Sequence, residues 1–252
     1  MKLAGKVALI SGTGGGQGRA AALRFAAEGA IVCGCDVTAE SQNETIRLVA
    51  EAGGRMTGPR TTLDIATGAG AQAWIDGALA EHGRIDILYN NASAARFAPI
   101  DRMSDEDWHF TIRNELDIVF FPTRAAWPHL AASKGIIINI GSTAGWSGTA
   151  GSGTIAHNAT KAGVIAMTRQ LALEGAPLGI RAVSISPGFV RTPGTAAFLE
   201  VPEVRQKLVS RIPLGRPGEP EEIVAMAAFV ASGEVSFMTG SDIVIDGGAL
   251  AG

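Results

Sequence analysis

The sequence predicts a single α/β domain, a doubly wound parallel sheet of about seven strands with helices on both faces. Three observations predict it. Short apolar runs alternate with segments of helical period along all 252 residues, a glycine-rich turn follows the first run directly, and an acid closes the second. No linker or repeat interrupts the alternation, so residues 1–252 read as one domain.

The first run is Val7, Ala8, Leu9 and Ile10, and it ends in Ser11-Gly12-Thr13-Gly14-Gly15-Gly16-Gln17-Gly18. A helical pattern carried by Ala20, Leu23, Phe25 and Ala26 follows and stops at Gly29. The second run, Ile31 to Cys35, ends on Asp36. Strand, glycine turn, helix and strand, with an acid about 20 residues beyond the turn, is the pattern of a dinucleotide-binding βαβ unit. Glycines let the backbone turn sharply, approach a pyrophosphate and aim the first N–H groups of the helix at it. Asp36 is then placed to accept hydrogen bonds from ribose hydroxyls.

Beyond Asp36, helices are predicted over Ala39 to Ala52 and Ala69 to His82, with a weaker strand at Thr61 to Asp64 between them. Ile85 to Tyr89 is a strand entering Asn90-Asn91-Ala92-Ser93. One long helix runs from about Asp105 to Leu130, with Ser104 as its N-cap and Pro122 and Pro128 as bends. Gly135 to Ile140 is almost wholly apolar, as a central parallel strand requires. A helix from about His157 to Leu173 leads to strand Ile180 to Ile185. Residues 186–218 are irregular and Pro-rich with a helix near Glu203 to Ser210, and 188–212 form a natural lid over the strand ends. Helix Glu219 to Val230 and strand Asp242 to Asp246 close the chain.

Composition narrows the function. Hydrophobic residues make up 46 % and charged ones 18 %, too apolar for disorder. A formal charge of −3 without a basic block argues against a nucleic-acid partner. No apolar run reaches membrane-spanning length, and Met1 to Gly5 leads straight into the first strand without a signal peptide. Cys33 and Cys35 lie two apart on one face of a core strand, where they cannot pair, so they read as small buried hydrophobes of a reduced, cytoplasmic protein.

These motifs together resemble the short-chain dehydrogenase/reductase family in its single-domain, Rossmann-fold form, over essentially the whole chain. Gly12-x-x-x-Gly16-x-Gly18 is similar to its cofactor turn, Asn90-Asn91-Ala92 to its Asn-Asn-Ala-Gly element with Ser93 for the glycine, and Asp246-Gly247-Gly248 to its C-terminal element. The resemblance implies that Gln17 joins the turn in binding cofactor. It also implies that Asp64 and Ile65 meet the adenine, that Asn91 and Ala92 line the site, and that Pro187, Gly188, Val190 and Thr192 clasp the nicotinamide. Asn139-Ile140-Gly141-Ser142 is similar to the strand that delivers the catalytic serine. A homotetramer is implied too, built through the helices near 105–130 and 157–173 and the last strand.

The resemblance breaks at the catalytic pair. The family has a tyrosine four residues before a lysine; here that stretch reads His157-Asn158-Ala159-Thr160-Lys161. The one tyrosine, Tyr89, lies inside a predicted strand. The family asparagine of the long helix falls on Glu115 or, with a one-residue slip, on Asn114. The interval from Ser142 to His157 is slightly longer than the family's, so the Ser147 to Ile155 loop must bulge. His157 and Lys161 share a helical face, and imidazole exchanges protons near neutrality without the pKa depression a phenol needs. Glu115 is a candidate to orient it.

The expected activity is NAD-dependent hydride transfer between nicotinamide and a secondary alcohol or ketone. Ser142 polarises the substrate oxygen, His157 carries the proton, and Lys161 binds the ribose and tunes His157. The alternatives are an NAD-binding protein without turnover, or an NAD-using enzyme of another reaction class. Asp36 and the absence of a basic residue in Thr13 to Gln17 favour NAD over NADP. Trp146, Phe189, Phe198 and Leu199 are expected to border an apolar pocket, suiting an apolar or cyclic substrate. Arg96 and Phe97 are candidates to face it, Arg96 either holding a carboxylate or merely solvated. His82, His109 and His129 read as solvated, and no metal site is expected.

Overall fold

A computed structural model describes residues 1–59 and 61–251. Seven parallel strands form one sheet in the order β3-β2-β1-β4-β5-β6-β7. They are β1 (Val7–Ser11), β2 (Ile31–Cys35), β3 (Arg55–Thr57), β4 (Ile87–Asn90), β5 (Ile136–Ile140), β6 (Arg181–Pro187) and β7 (Asp242–Ile245). The order reverses between β1 and β4, and ligands bind beyond the strand C-termini at such a switch. Both faces are covered. Ala8 and Ile10 point into a cluster with Phe25 of α1 (Gly16–Ala27), Val49 of α2 (Ala39–Glu51) and Ala227 of α9 (Pro220–Ala231). Val7 and Leu9 point into the opposite cluster, with Trp74 of α3 (Gly68–His82), Ala126 of α5 (Ile118–Ser133) and Val164 of α6 (Ile155–Gly175). Burial on two faces explains why these strands read as unbroken apolar runs.

Three elements differ from the sequence reading. The third strand is Arg55–Thr57, not 61–64. The threonines there carry strand propensity, but Thr61 and Thr62 are exposed, and the segment crosses the strand tips with Ile65 turned inward and buried. The long helix is two, α4 (Asp105–Ile112) and α5, joined by a π-turn at Arg113–Asp117. Pro122 has no N–H for the Ile118 carbonyl, and the widened turn falls just before it. The segment 186–218 holds α7 (Ala196–Glu200) as well as α8 (Pro202–Val209).

Buried polar groups tie the sheet together. Asn90 Nδ2 donates to Asn139 Oδ1 at 2.9 Å and to Thr123 Oγ1 at 3.0 Å, and Asn139 Nδ2 donates to Thr168 Oγ1 at 2.9 Å. Asp86, also buried, accepts the Val7 N–H at 3.0 Å and the Arg84 guanidinium at 2.6 Å.

Tyr89 is fully buried in β4 and stacks on Phe25 with centroids 5.9 Å apart. Burial pushes its phenol up, and its hydroxyl meets no hydrogen-bond partner among the described residues. Removing a buried, unsatisfied hydroxyl relieves a desolvation cost, so Tyr89→Phe raises stability by about 1 kcal/mol, roughly 2–4 °C in Tm for a chain of this size. Thermal unfolding followed by circular dichroism checks this, and a fall of several degrees would contradict it.

Candidate active site

A cleft of about 440 Å³ opens where β1 and β4 diverge. The predicted residues Gly12, Gly16, Gln17, Asp36, Ile65, Asn91, Ala92 and Thr192 line it. Gly12 has a φ of +74°, and a side chain there would press on Ala92 at 2.9 Å. Gly18 stands behind the rim, where a Cβ would overlap the Gly12 carbonyl and hold α1 away from the turn. Ser11 fixes the opposite wall: its Oγ accepts the N–H groups of Asn91 and Ala92, both at 3.0 Å, and its carbonyl accepts Asn91 Nδ2 at 3.0 Å.

The cradle suits a dinucleotide. No side chain caps the N-terminus of α1, whose cap residue is Gly15, so its first N–H groups remain available to an anion. The Gln17 Oε1 is buried without a partner among the described residues. Asp36 is pinned at the rim by the Gly14 N–H at 2.8 Å and the Thr38 N–H at 2.9 Å. Among the described residues lining the cleft none is basic; Arg19 is turned away, bonded to the Gly14 carbonyl at 2.6 Å and Thr45 Oγ1 at 2.9 Å.

Beside the cleft lies a buried cluster centred on Glu115. The π-turn places Glu115 at 1 % exposure against α6. His157 Nδ1 donates to its two oxygens, at 2.8 and 2.9 Å. Ser93 Oγ donates to Oε1 at 2.7 Å, Thr160 Oγ1 donates to Oε2 at 2.5 Å, and the Lys161 ammonium lies 4.0 Å from Oε1. Lys161 also donates to the Ile140 carbonyl at 3.1 Å. Burial alone pushes the Glu115 carboxyl up. The Lys161 charge and the hydrogen bonds from His157 and Thr160 outweigh it and hold the group below the ordinary carboxylate value. Burial pulls Lys161 down, partly offset by Glu115. A carboxylate only accepts, so His157 Nδ1 carries the proton here and Nε2 is the nitrogen left to exchange one.

Asn114 and Glu115 part in space. Asn114 lines the cleft and bonds back to the Phe110 carbonyl at 2.8 Å, while Glu115 meets His157. Ser142 lies two residues beyond β5 and caps the short 3₁₀ turn Thr143–Gly145, its Oγ accepting the Ala144 N–H at 3.1 Å. Pro187, Gly188 and Val190, expected to clasp the nicotinamide, are not among the residues that line the cleft. Gly188 N–H donates to the Ile245 carbonyl at 2.9 Å and Val190 bridges to Gly218, and of the predicted residues in this segment Thr192 reaches the cleft. Asp64 stands outside the lining in an ion pair with Arg113, leaving the cleft contact to Leu63 and Ile65.

Several neighbours differ from expectation. Trp146 turns from the pocket: its indole donates to Asp242 at 2.6 Å and lies under Arg169. Phe189 lines a separate small cavity of about 80 Å³ with Leu214 and Ile245. Arg96 is committed to Glu106 and Asp107 and packs on Phe110, whereas Phe97 sets its ring edge-on to His157 at 5.8 Å. His82 is not solvated; its side chain is 6 % exposed and bonds Thr57 Oγ1 at 3.1 Å, a contact hidden by the misplaced third strand. Thr160 and the Ser93 hydroxyl are site groups that spacing alone did not single out. The described residues hold no cluster of metal-ligating side chains and no helix long and apolar enough to cross a membrane.

This arrangement defines an NAD(P)-dependent oxidoreductase acting on alcohol or ketone groups, with a histidine and a lysine where a tyrosine and a lysine are usual. The sequence profile described as enoyl-(acyl carrier protein) reductase matches residues 12–249, and the chain belongs to the short-chain dehydrogenase/reductase family. It is 38 % identical to the 3-oxoacyl-(acyl-carrier-protein) reductase of Thermotoga maritima over 98 % of this chain and 99 % of that one. It is 36 % identical to the meso-2,3-butanediol dehydrogenase of Serratia marcescens over 100 % and 97 %. The crystal structure of a short-chain type dehydrogenase/reductase from Mycobacterium marinum superposes with a TM-score of 0.90 at 30 % identity, covering 99 % of this chain and 97 % of that one.

Removing the Glu115 charge leaves Lys161 buried without its counter-ion. Glu115→Gln is expected to cost about 3 kcal/mol at pH 7. The folded-state carboxyl titrates below its ordinary value of 4.5, so its contribution is complete above that value and is lost as the pH falls through the lower folded-state one. Urea unfolding of both proteins at pH 7 and at steps below 4.5 should show the gap closing as the carboxyl protonates. A gap that stays as large well below 4.5 would refute the pairing.

Proposed function

We propose that the chain is an NAD-dependent dehydrogenase and carbonyl reductase of apolar or cyclic secondary alcohols and ketones, with His157 exchanging the substrate proton. The observation that carries this reading is the Glu115–His157 pair, which fixes the ring through Nδ1 and leaves Nε2 as the exchanging nitrogen. Bound NAD(H) supplies the hydride acceptor or donor. In the oxidation direction, His157 Nε2 takes the hydroxyl proton as the carbinol C–H bond breaks, and the C–O bond becomes a carbonyl. In reduction, the imidazolium returns that proton to the oxygen. Ser142, at the strand end, donates to the substrate oxygen. Lys161 keeps N–H donors beyond the one used on Ile140, and these serve the nicotinamide ribose.

Cofactor choice rests on Asp36. Its carboxylate repels a 2′-phosphate and accepts from a free 2′-hydroxyl, and the described residues lining the cleft include no cation to offset the repulsion. The exposed Phe97 ring against His157, and an Arg96 already satisfied by two carboxylates, favour an uncharged, apolar substituent beside the reacting carbon. The relatives' names refer to a 3-oxoacyl group and to a butanediol, both hydroxyl or carbonyl substrates. Residues 188–212, with α7 and α8, serve as the substrate lid within the one domain 1–252. Exposed apolar side chains on α5, α6 and β7 (Phe120, Leu173 and Val244) support a homotetramer built on those elements. Free, buried Cys33 and Cys35 support a reducing, cytoplasmic setting.

Oxidation of 2-butanol, cyclohexanol and 1-phenylethanol tests the main reading. His157→Phe should lose about 10²–10⁴ in kcat while NADH fluorescence titration shows unchanged binding. In the same assay NAD⁺ should exceed NADP⁺ in kcat/KM by about a hundredfold, the scale of one unfavourable like-charge contact. Full turnover in the Phe variant would reject the proton role, and equal use of the two cofactors would reject the Asp36 argument. For the assembly, sedimentation velocity should return four copies, and a monomer at micromolar concentration would reject it.

A further inference from the structure

Ser93, Glu115 and His157 are three substitutions by which this chain leaves the family pattern, and the fold brings all of them to one point. They come from the loop after β4, the π-turn and the first turn of α6, 22 and 42 residues apart along the chain. Their contacts form one chain of donors to a single buried carboxylate. Ser93 Oγ and His157 Nδ1 share Oε1, while Thr160 Oγ1 takes Oε2. Thr160 is itself fully buried, and its one hydroxyl proton has two acceptors in reach, Glu115 Oε2 at 2.5 Å and the His157 carbonyl at 2.9 Å, of which the charged carboxylate is the nearer.

We infer that Ser93 and Thr160 are positioning residues that fix the Glu115 carboxylate, and through it the His157 ring, so that 93, 115 and 157 form one unit exchangeable only together. This rests on the proton role proposed for His157 and adds what holds that group in place. The physical reason is satisfaction. A buried carboxylate needs its lone pairs met by donors, and each donor removed lets it rotate or draw a proton from a neighbour. The imidazole bonded to it would then lose its fixed orientation. The same reasoning covers the reverse exchange. A tyrosine at 157 sets a ring edge where Nδ1–H now donates, which leaves Glu115 short of a donor and puts a negative charge beside the phenol that must ionise. An uncharged amide at 115 removes both faults.

The test uses the full-length protein with NAD⁺ and whichever of 2-butanol, cyclohexanol and 1-phenylethanol the wild type oxidises fastest. Ser93→Ala and Thr160→Val should each lower kcat about tenfold with little change in KM, and Thr160→Ser should restore it. In a Glu115→Gln background neither should lower kcat further, because their action passes through that carboxylate. A low-field imidazole N–H proton resonance, lost in His157→Phe, should broaden or move upfield in both single variants. His157→Tyr alone should stay at least a hundredfold below wild type, and His157→Tyr combined with Glu115→Asn and Ser93→Gly should regain turnover. Wild-type kcat and an unmoved resonance in both single variants, losses that add fully to that of Glu115→Gln, or an active His157→Tyr single variant would each overturn the proposal. These outcomes separate from the parent reading: His157→Phe inactive with Ser93→Ala and Thr160→Val at full rate sinks the positioning role alone, whereas an active His157→Phe sinks both.

Discussion

A carboxylate 1 % exposed to solvent is tolerable only if its charge is balanced and its oxygens are met, and at Glu115 both conditions are satisfied by residues from the loop after β4 and from α6. Lys161 needs the same balance in reverse, being buried itself and bonded to a single backbone carbonyl at the end of β5. The two charges therefore specify how α6 sits against the π-turn and the tip of β5. Hydrophobic packing brings these elements together, since Val164 and Ala172 of α6 share a cluster with Ile137 of β5. The ionic and hydrogen-bonded contacts then set the register, as buried polar groups do when only one arrangement satisfies them.

The sheet supplies the other half of the site by topology alone. Parallel strands end on the same side, so every loop that matters leaves from one edge, and the reversal between β1 and β4 keeps two of those loops apart. The turn after β1 and the segment after β4 become the walls of the cleft, and Ser11 stitches them with its side chain and its carbonyl. The proton-handling cluster lies on the β4–β5 side of the same edge. The cofactor cleft and the acid–base cluster therefore meet at the segment after β4, which gives Asn91 and Ala92 to the first and the Ser93 hydroxyl to the second.

Much of this was legible in the residues. The order of strands and helices and the cofactor turn follow from periodicity and glycine spacing, while the His157–Lys161 pair was singled out by the resemblance to the family's catalytic pair. What was not legible has identifiable causes. Arg55–Thr57 is a three-residue strand with one buried apolar side chain, too short to outweigh the β-branched threonines that follow. Trp146 is an aromatic residue after a site loop, yet its N–H finds Asp242 and its face finds Arg169, so polar partners decided its direction. His82 lies on an outer helix but meets Thr57 of that same short strand. Thr160 was invisible as a site group because a hydroxyl inside a helix usually bonds its own backbone.

The π-turn at Arg113–Asp117 gives these adjacent residues their separate duties. Successive positions on a helix differ by about 100° in direction, so neighbours seldom serve one site. Here Asn114 faces the cleft and Glu115 faces α6, so one turn serves both the cofactor wall and the helix bearing His157. The extra residue is in effect a setting of helical phase. Position 115 owes its place at the imidazole to the count of residues between Ser104, which caps α4, and Pro122. One residue inserted between Ser104 and Asn114, counted from that cap, would bring the Asn114 amide to the place the carboxylate now holds.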